Sequence, residues 1–208
     1  NRRQRQMCIR DRYTCYGITK MNSFKHQYMV VHLDDDFFPQ LEKAIKPYQD
    51  YESGKTDQWD GNKYQAQDNK DRSSKLCWID DDEVYAMMDG LVHFANTKCG
   101  WNLDVNFIEP LQRTKYDVGD FYDWHCDEMG WTRGKRPEDR IRKISFTVML
   151  NDDFEGGEFE IQTTEKNVVQ LKKKDVIIFH ADTPHRVKPV TKGVRHSLVG
   201  WTQGPPYK

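Results

Sequence analysis

The second half of the chain alternates between short apolar runs and short polar interruptions. Each run is too short for a typical helix, and the interruptions contain Asn, Asp, Gly and Lys, which are common in turns. The runs occupy residues 103–108, 142–150, 157–162, 175–179 and 194–201. Many short strands punctuated by turns are typical of a β-sandwich or barrel, so this half of the chain is predicted to be mainly β.

The first hundred residues carry helical patterns as well as a strand pattern. Residues 28–33 read YMVVHL, an apolar run typical of a strand. Helices are predicted over 37–49 and over about 80–98, the second with an acidic cap and an apolar stripe. The polar residues 50–75 between them predict a loop. We therefore expect residues 21–100 to supply a strand and helices that support the sheet.

The first twenty residues differ in character from the rest of the chain. They hold six Lys or Arg and one acidic residue without any apolar period, and are predicted to be a non-native or disordered leader. Without them, 26 basic and 32 acidic side chains leave a net charge of −6, against −1 for all 208 residues. An acidic protein has no global positive field to attract nucleic acid, so no such partner is expected.

Composition also argues against a membrane span. The mean hydropathy is −0.93 and 31% of the residues are charged. No stretch approaches the ~18 consecutive apolar residues typical of a transmembrane helix. The five cysteines form no Cys-x-x-Cys pair, so reduced thiols and a cytoplasmic location are expected.

Two short segments in the β-rich half carry side chains that bind metals. His125 and Asp127 lie one residue apart in an aromatic, alternating run that predicts a strand. Residues i and i+2 of a strand share a face, so both can reach one metal while Cys126 points away. His185 begins another predicted strand, after the turn residues 182–184. Two imidazoles and one carboxylate leave positions of an octahedral metal open, a set that suits non-haem Fe(II).

Arg195 begins the last apolar run, ten residues after His185. By strand alternation Arg195 and Ser197 share one face. Arginine binds a carboxylate through two parallel hydrogen bonds, and a neighbouring hydroxyl adds a further donor. These residues therefore predict a site for the far carboxylate of a dicarboxylate ligand. A lone His-x-Asp arises easily by chance, whereas its combination with a downstream His and a strand Arg does not.

At these residues the chain resembles the 2-oxoglutarate/Fe(II)-dependent dioxygenases, in particular their prolyl-hydroxylase-like branch. The resemblance runs from about residue 103 to residue 207. It rests on the motif Tyr-x-x-Gly-x-x-Tyr-x-x-His-x-Asp at residues 116–127 and on the sequences FEGGEFEI, DVIIFH and RHSLVGW. It implies a double-stranded β-helix, the jelly-roll or cupin-like fold, with flanking helices. Residues 101–208 would form this dioxygenase core.

The resemblance implies a role for six residues. The metal-binding and catalytic set is His125, Asp127 and His185. The set that binds the distal carboxylate of 2-oxoglutarate is Arg195, with Tyr116 and Ser197 as helpers. Fe(II), 2-oxoglutarate and O2 are the implied cofactor and cosubstrates, and L-ascorbate is a further candidate.

The implied reaction is hydroxylation of an unactivated C–H bond. The expected substrate is a protein or peptide side chain such as prolyl, and a free amino acid or other small molecule is the alternative. A second class of function is a non-redox jelly-roll module that binds a metal. The predicted dicarboxylate site counts against this class, because a simple metal site does not need one. The basic segment 128–143 suits either a substrate contact or a solvated loop.

Overall fold

The computed structural model of the protein describes residues 18–25, 27–54, 56–59, 64–67, 70–129 and 140–207. For residues 18–25, 56–59 and 64–67 it describes the backbone alone. The strands are β1 (Ile18–Lys25), β2 (Tyr28–Leu33), β3 (Glu52–Ser53), β4 (Thr56–Trp59), β5 (Tyr64–Gln67), β6 (Arg72–Ser73), β7 (Lys75–Ile79), β8 (Phe107–Ile108), β9 (Leu111–Tyr116), β10 (Phe121–His125), β11 (Ile141–Met149), β12 (Glu155–Gly156), β13 (Phe159–Gln162), β14 (Lys166–Val169), β15 (Asp175–His180), β16 (His185–Val187), β17 (Val190–Lys192) and β18 (Arg195–Gly204). The described helices are α1 (Phe37–Ile45) and α2 (Asp82–Lys98).

Most of the strands belong to two antiparallel sheets. The larger sheet has nine strands in the order β1-β2-β15-β11-β18-β9-β7-β3, with β8 also paired to β18. The smaller sheet has five strands in the order β14-β13-β16-β10-β6. Neighbouring strands are seldom consecutive in sequence, so the chain crosses repeatedly from one sheet to the other. The predicted jelly roll with flanking helices is confirmed.

The larger sheet presents two different faces, and β11 shows the difference. Ile144, Phe146 and Val148 belong to a core cluster that also contains the buried residues of both helices. Ser145 and Thr147 are buried as well, but alternation turns them to the opposite face. The outer face of the sheet is therefore a hydrophobic core, whereas polar side chains line its inner face.

The inner face of the larger sheet lies against the smaller sheet. Phe159 of β13 and Phe179 of β15 contact each other with ring centroids 5.7 Å apart. Both belong to a second core cluster, which also contains Tyr116 of β9 and Val187 of β16. This apolar contact occupies one side of the space between the two sheets. Polar side chains of the inner face line the rest of that space.

Several boundaries differ from those predicted. The first helix ends at Ile45 and not at 49, and residues 50–75 contain four short strands where a loop was expected. Within 103–108 only residues 107–108 form a strand. Residues 18–20 of the predicted leader lie in β1, while residues 1–17 lie outside the described residues.

The strand β9 was missed because it lacks an apolar alternation. Its sequence is LQRTKY, and the Arg113 guanidinium donates to the carbonyl oxygens of Ile45 and Tyr48 at the end of α1. Gln112 and Thr114 turn to the inner face, where polar residues are buried. A strand that is polar on both faces gives no period-two hydrophobic signal.

No helix in the described ranges is long and apolar enough to cross a lipid bilayer. Among the described cysteines, Cys77, Cys99 and Cys126 are free thiols.

The N-terminus of α2 generates a stability prediction. The Asp81 carboxylate accepts hydrogen bonds from the backbone N–H groups of Glu83 and Val84 and from the Tyr48 hydroxyl. These bonds, with that of Val84 foremost, lower the pKa of Asp81.

We expect Asp81→Ala to reduce the free energy of unfolding by about 1 kcal/mol in urea denaturation at pH 7. The difference should shrink as pH falls below about 4, where the carboxyl protonates. Asp82→Ala, at an exposed neighbour, is the control, and an equal loss in both variants would contradict the cap.

Candidate metal and anion site

Three side chains with metal-ligating atoms converge in the interior. His125, the last residue of β10, is the direct antiparallel partner of His185, the first residue of β16, so the two imidazoles share a face. Their Nε2 atoms lie 3.7 and 3.5 Å from the two oxygens of the Asp127 carboxylate. The ligand atoms of all three residues lie within 4.8 Å of one another. We call these three residues the metal triad.

Asp127 reaches the metal triad by a route that differs from the prediction. Strand β10 ends at His125 and Asp127 lies in the bend that follows, so strand alternation does not place its side chain. The Ser145 hydroxyl of β11 instead donates to the Asp127 carboxylate, with an O–O distance of 2.7 Å. Cys126 is half-buried and does not belong to the group of convergent ligands.

Both histidines are oriented through their second ring nitrogen. Nδ1 of His125 lies 2.7 Å from the carbonyl oxygen of Asp123, and Nδ1 of His185 lies 2.9 Å from that of Thr183. A carbonyl oxygen only accepts hydrogen bonds, so each Nδ1 carries the proton. The neutral form of such a ring has its lone pair on Nε2, the arrangement of a histidine that ligates a metal.

Electrostatics favour a neutral His125 and an ionised Asp127. Burial, together with the neighbouring His185, lowers the pKa of His125 to about 3, so this imidazole is neutral. Burial alone would raise the pKa of Asp127, but His185, His125, Arg142 and the bond from Ser145 hold it below its usual value. A buried carboxylate with two imidazole nitrogens is a fitting donor set for a divalent cation.

A second charged site faces the same interior. The Arg195 guanidinium is 1% exposed, and Nη1 donates to the Ser197 hydroxyl at 3.1 Å. Nη2 lies 3.3 Å from the Met149 sulfur, and Cζ lies 5.3 Å from the centre of the Tyr116 ring. No carboxylate contacts this cation in the part of the chain that the structure describes, and its Nε has no partner there. We call Arg195, Ser197 and Tyr116 the arginine clamp.

Tyr122 connects the metal triad to the arginine clamp. Its ring stacks on His125 with centroids 3.5 Å apart. Burial raises the pKa of Tyr122 to about 12, and both Asp127 and Tyr116 contribute to the rise. The Tyr122 phenol therefore interacts with Asp127 of the metal triad and with Tyr116 of the arginine clamp, and it packs against the core cluster that contains Tyr116.

Gly157 allows the arginine clamp to form. It adopts a positive φ of 63°, and a Cβ atom at this position would lie 3.0 Å from Cδ of Arg195. Glycine adopts such a φ without strain, and here it also leaves room for the arginine side chain.

The support of the metal triad includes residues that sequence reasoning missed. Arg142 forms a bidentate pair with Glu109, with N–O distances of 2.7 and 2.6 Å, and Gln203 also donates to Glu109. Nη1 of Arg142 lies 3.4 Å from the carbonyl oxygen of Asp127. These contacts join residues far apart in sequence, and no local motif marks them.

The basic segment 128–143 divides into two parts. Residues 130–139 lie outside the described residues. Lys143 is 3% exposed and the Arg142 side chain is mostly covered, so these two cations belong to the interior of the domain and not to a solvated loop.

Comparison with known proteins identifies relatives of the region that contains this site. Residues 111–203, which contain both charged sites, match the 2OG-Fe(II) oxygenase superfamily. The chain is 33% identical over 99 residues to a PKHD-type hydroxylase of Synechococcus sp. strain CC9902, covering 46% of this chain and 42% of that protein. It is 38% identical over 103 residues to a PKHD-type hydroxylase of Hyphomonas neptunium, covering 48% and 44%. The matched region thus spans less than half the length of these relatives.

Solved structures show the same fold. A prolyl-4-hydroxylase of Pseudomonas putida matches with a TM-score of 0.62 and 21% identity, covering 88% of this chain and 95% of that one. A prolyl hydroxylase of Trichoplax adhaerens, in complex with a peptide fragment of the hypoxia inducible factor oxygen degradation domain, matches with a TM-score of 0.66 and 18% identity, covering 95% and 91%.

The Glu109–Arg142 pair generates a prediction about metal binding. Glu109→Gln leaves a buried guanidinium without its charge partner and should reduce the free energy of unfolding by about 3 kcal/mol. Because Arg142 also contacts the Asp127 carbonyl, Mn(II) affinity, measured by electron paramagnetic resonance, should fall as well. Glu160→Gln is the matched control, since the Glu160 side chain is 12% exposed, like that of Glu109, and pairs with Arg186 at 2.7 Å. Glu160→Gln should leave Mn(II) affinity unchanged, and an equal drop in both variants would contradict the expectation.

Proposed function

We propose that this chain, whose residues 111–203 belong to the 2OG-Fe(II) oxygenase superfamily, is an Fe(II)- and 2-oxoglutarate-dependent dioxygenase that hydroxylates an unactivated C–H bond. The observation that carries the proposal is the pair of complementary charged sites in one interior. The metal triad offers a carboxylate and two lone pairs to a cation. The arginine clamp offers a buried cation to an anion.

In this proposal His125, Asp127 and His185 hold Fe(II). The backbone carbonyls of Asp123 and Thr183 fix the tautomer of each imidazole, and Ser145 fixes one oxygen of the carboxylate. Bound Fe(II) supplies the redox chemistry by which O2 oxidises 2-oxoglutarate to succinate and CO2 and hydroxylates the substrate. The protein holds the ligands in place, and the Tyr122 ring covers one face of His125 and shields it from water.

The arginine clamp would bind the distal carboxylate of 2-oxoglutarate. Arg195 has N–H groups available, and a carboxylate can accept two of them in parallel. Ser197 holds one nitrogen of the guanidinium, and the Tyr116 ring lies against it. A metal-binding module without redox function would have no need of this buried cation, whose desolvation is costly unless an anion neutralises it. The clamp therefore favours the oxygenase over such a module.

The substrate we propose is a side chain of a protein or peptide, with prolyl as the first candidate. Two observations support this choice. The PKHD-type relatives are named hydroxylases, and the Trichoplax neighbour is a prolyl hydroxylase bound to a peptide. A free amino acid or another small molecule is the alternative substrate. A cytoplasmic location and a role for L-ascorbate stay predictions.

Anaerobic spectroscopy tests the proposed cofactor set. Addition of Fe(II) and 2-oxoglutarate to the protein should produce a weak visible charge-transfer band, because the oxo-acid chelates the iron. Asp127→Ala should abolish the band without unfolding the domain, since it removes the anionic ligand. His93→Ala, at a half-exposed histidine of α2, is the control and should keep the band. A wild-type protein that binds Fe(II) but shows no band with 2-oxoglutarate would contradict the proposal.

The arginine clamp generates a separate prediction. Arg195→Gln should raise the Kd for 2-oxoglutarate by about two orders of magnitude, equivalent to about 3 kcal/mol for a charged bidentate pair. Calorimetry with Mn(II) in place of iron measures this Kd. Mn(II) affinity should change little, and the ligand-free protein should be no less stable, because a buried unpaired cation has been removed. Arg186→Gln, at a partly exposed arginine, should behave as wild type, and an unchanged Kd in Arg195→Gln would exclude the clamp.

A further inference from the structure

Thr114 carries a buried hydroxyl whose partner is missing. The residue is 1% exposed, and its Oγ1 has no hydrogen-bond partner among the described residues. A buried polar group without a partner destabilises the folded state relative to an apolar group of the same shape. Valine has nearly the shape of threonine and would avoid this cost. The hydroxyl at this position therefore needs an explanation outside the packing of the domain.

Alternation along β9 turns Thr114 to the inner face. Leu111 belongs to the core cluster on the helix side, and Arg113 donates to carbonyl oxygens at the end of α1. Tyr116, two residues further on, belongs to the cluster between the sheets. Because successive side chains point to opposite faces, Thr114 lies on the same side as Tyr116.

Strand register places Thr114 beside the arginine clamp. In the antiparallel pairing of β9 with β18, Thr114 is the direct partner of Ser197 and Tyr116 is the direct partner of Arg195. The side chains of directly opposed residues lie about 4.5–5.5 Å apart at Cβ. These four residues form a compact patch on one face of the sheet. Two atoms of the patch, Thr114 Oγ1 and Arg195 Nε, lack a partner in the described structure.

We propose that Thr114 is a further binding residue for the oxo-dicarboxylate cosubstrate, and that its hydroxyl donates to the carboxylate that Arg195 holds. The inference rests on the proposed function. An ionised carboxylate accepts about four hydrogen bonds, so the guanidinium alone does not saturate it. The Ser197 hydroxyl accepts a bond from Arg195 and keeps its own O–H, and the Thr114 hydroxyl, which has no partner among the described residues, is a second neutral donor for the same anion. The ligand satisfies a group that the ligand-free domain leaves unpaired.

A matched pair of threonine variants tests this inference. Thr114→Val removes the unpaired hydroxyl, and Thr202→Val removes a hydroxyl that lies 3.3 Å from the carbonyl oxygen of Ile144. Thr202 is 0% exposed and lies on the opposite face of β18 from Arg195. Both variants make the same chemical change at a buried strand position. They differ in whether the hydroxyl has a partner within the domain.

The two variants should show opposite behaviour. With Mn(II) in place of iron, Thr114→Val should raise the Kd for 2-oxoglutarate in calorimetry by about tenfold, the loss of one hydrogen bond to a charged acceptor. Without 2-oxoglutarate its melting temperature should equal or exceed that of wild type. Thr202→Val should melt at a lower temperature and bind 2-oxoglutarate with the wild-type Kd. Thr114→Ser retains a hydroxyl and should recover most of the affinity.

Two outcomes would overturn the inference while leaving the proposed function intact. One is a wild-type Kd for 2-oxoglutarate in Thr114→Val. The other is a melting temperature that falls in Thr114→Val as far as in Thr202→Val, which would show that the hydroxyl has a partner within the domain. A wild-type protein that binds Mn(II) but not 2-oxoglutarate would instead reject the proposed function, and the role of Thr114 with it.

Discussion

The Arg195 guanidinium lies in the interior between two sheets with a hydroxyl, a thioether and an aromatic ring as its neighbours. Burial lowers its pKa, yet an arginine side chain remains a cation in proteins. A buried charge without a counter-charge costs several kcal/mol, and only the cooperative strands around it can maintain such an arrangement. Arg195 begins β18, which lies between β9 and β11 in the larger sheet, and these neighbouring strands keep its side chain away from solvent. In the function proposed above, an anion bound at Arg195 supplies the missing counter-charge.

The larger sheet can maintain this buried charge because its other face contributes to the main hydrophobic core. Ile144, Phe146 and Val148 of β11 and Leu198 of β18 belong to the core cluster that holds α1 and α2, and the residues between them are free to be polar. The same division places Ser145 under Asp127, and Ser197 beside Arg195. The larger sheet thus holds the arginine clamp and supports Asp127, whereas β10 and β16 of the smaller sheet supply the two histidines. A slip of one residue in the register of either strand would exchange the two faces.

Sequence reasoning identified three side chains that converge in the structure: the pair His125 and Asp127, whose spacing is local, and His185, which follows a turn signal. It placed Asp127 by strand alternation, whereas the strand ends two residues before Asp127 and Ser145 orients the carboxylate. Ser145 and the Glu109–Arg142 pair left no sequence signal, because their contacts depend on which strands become neighbours. The partner of Asp127 is 18 residues away and that of Arg142 is 33 residues away. Only the register of the folded sheets brings them together.

The metal triad and the arginine clamp are coupled through the net charge of the interior between the sheets. Metal binding requires both imidazoles in their neutral form, so the metal triad then contributes the single negative charge of Asp127. A divalent metal reverses the sign there, and Arg195 adds a further positive charge in the same water-poor interior. The excess is two positive charges, which is costly in a medium of low polarity. A dicarboxylate that spans the two sites cancels it, whereas a monocarboxylate or a neutral ligand leaves charge uncompensated. The interior is therefore suited to a metal and a dicarboxylate together, and each should bind more tightly when the other is present.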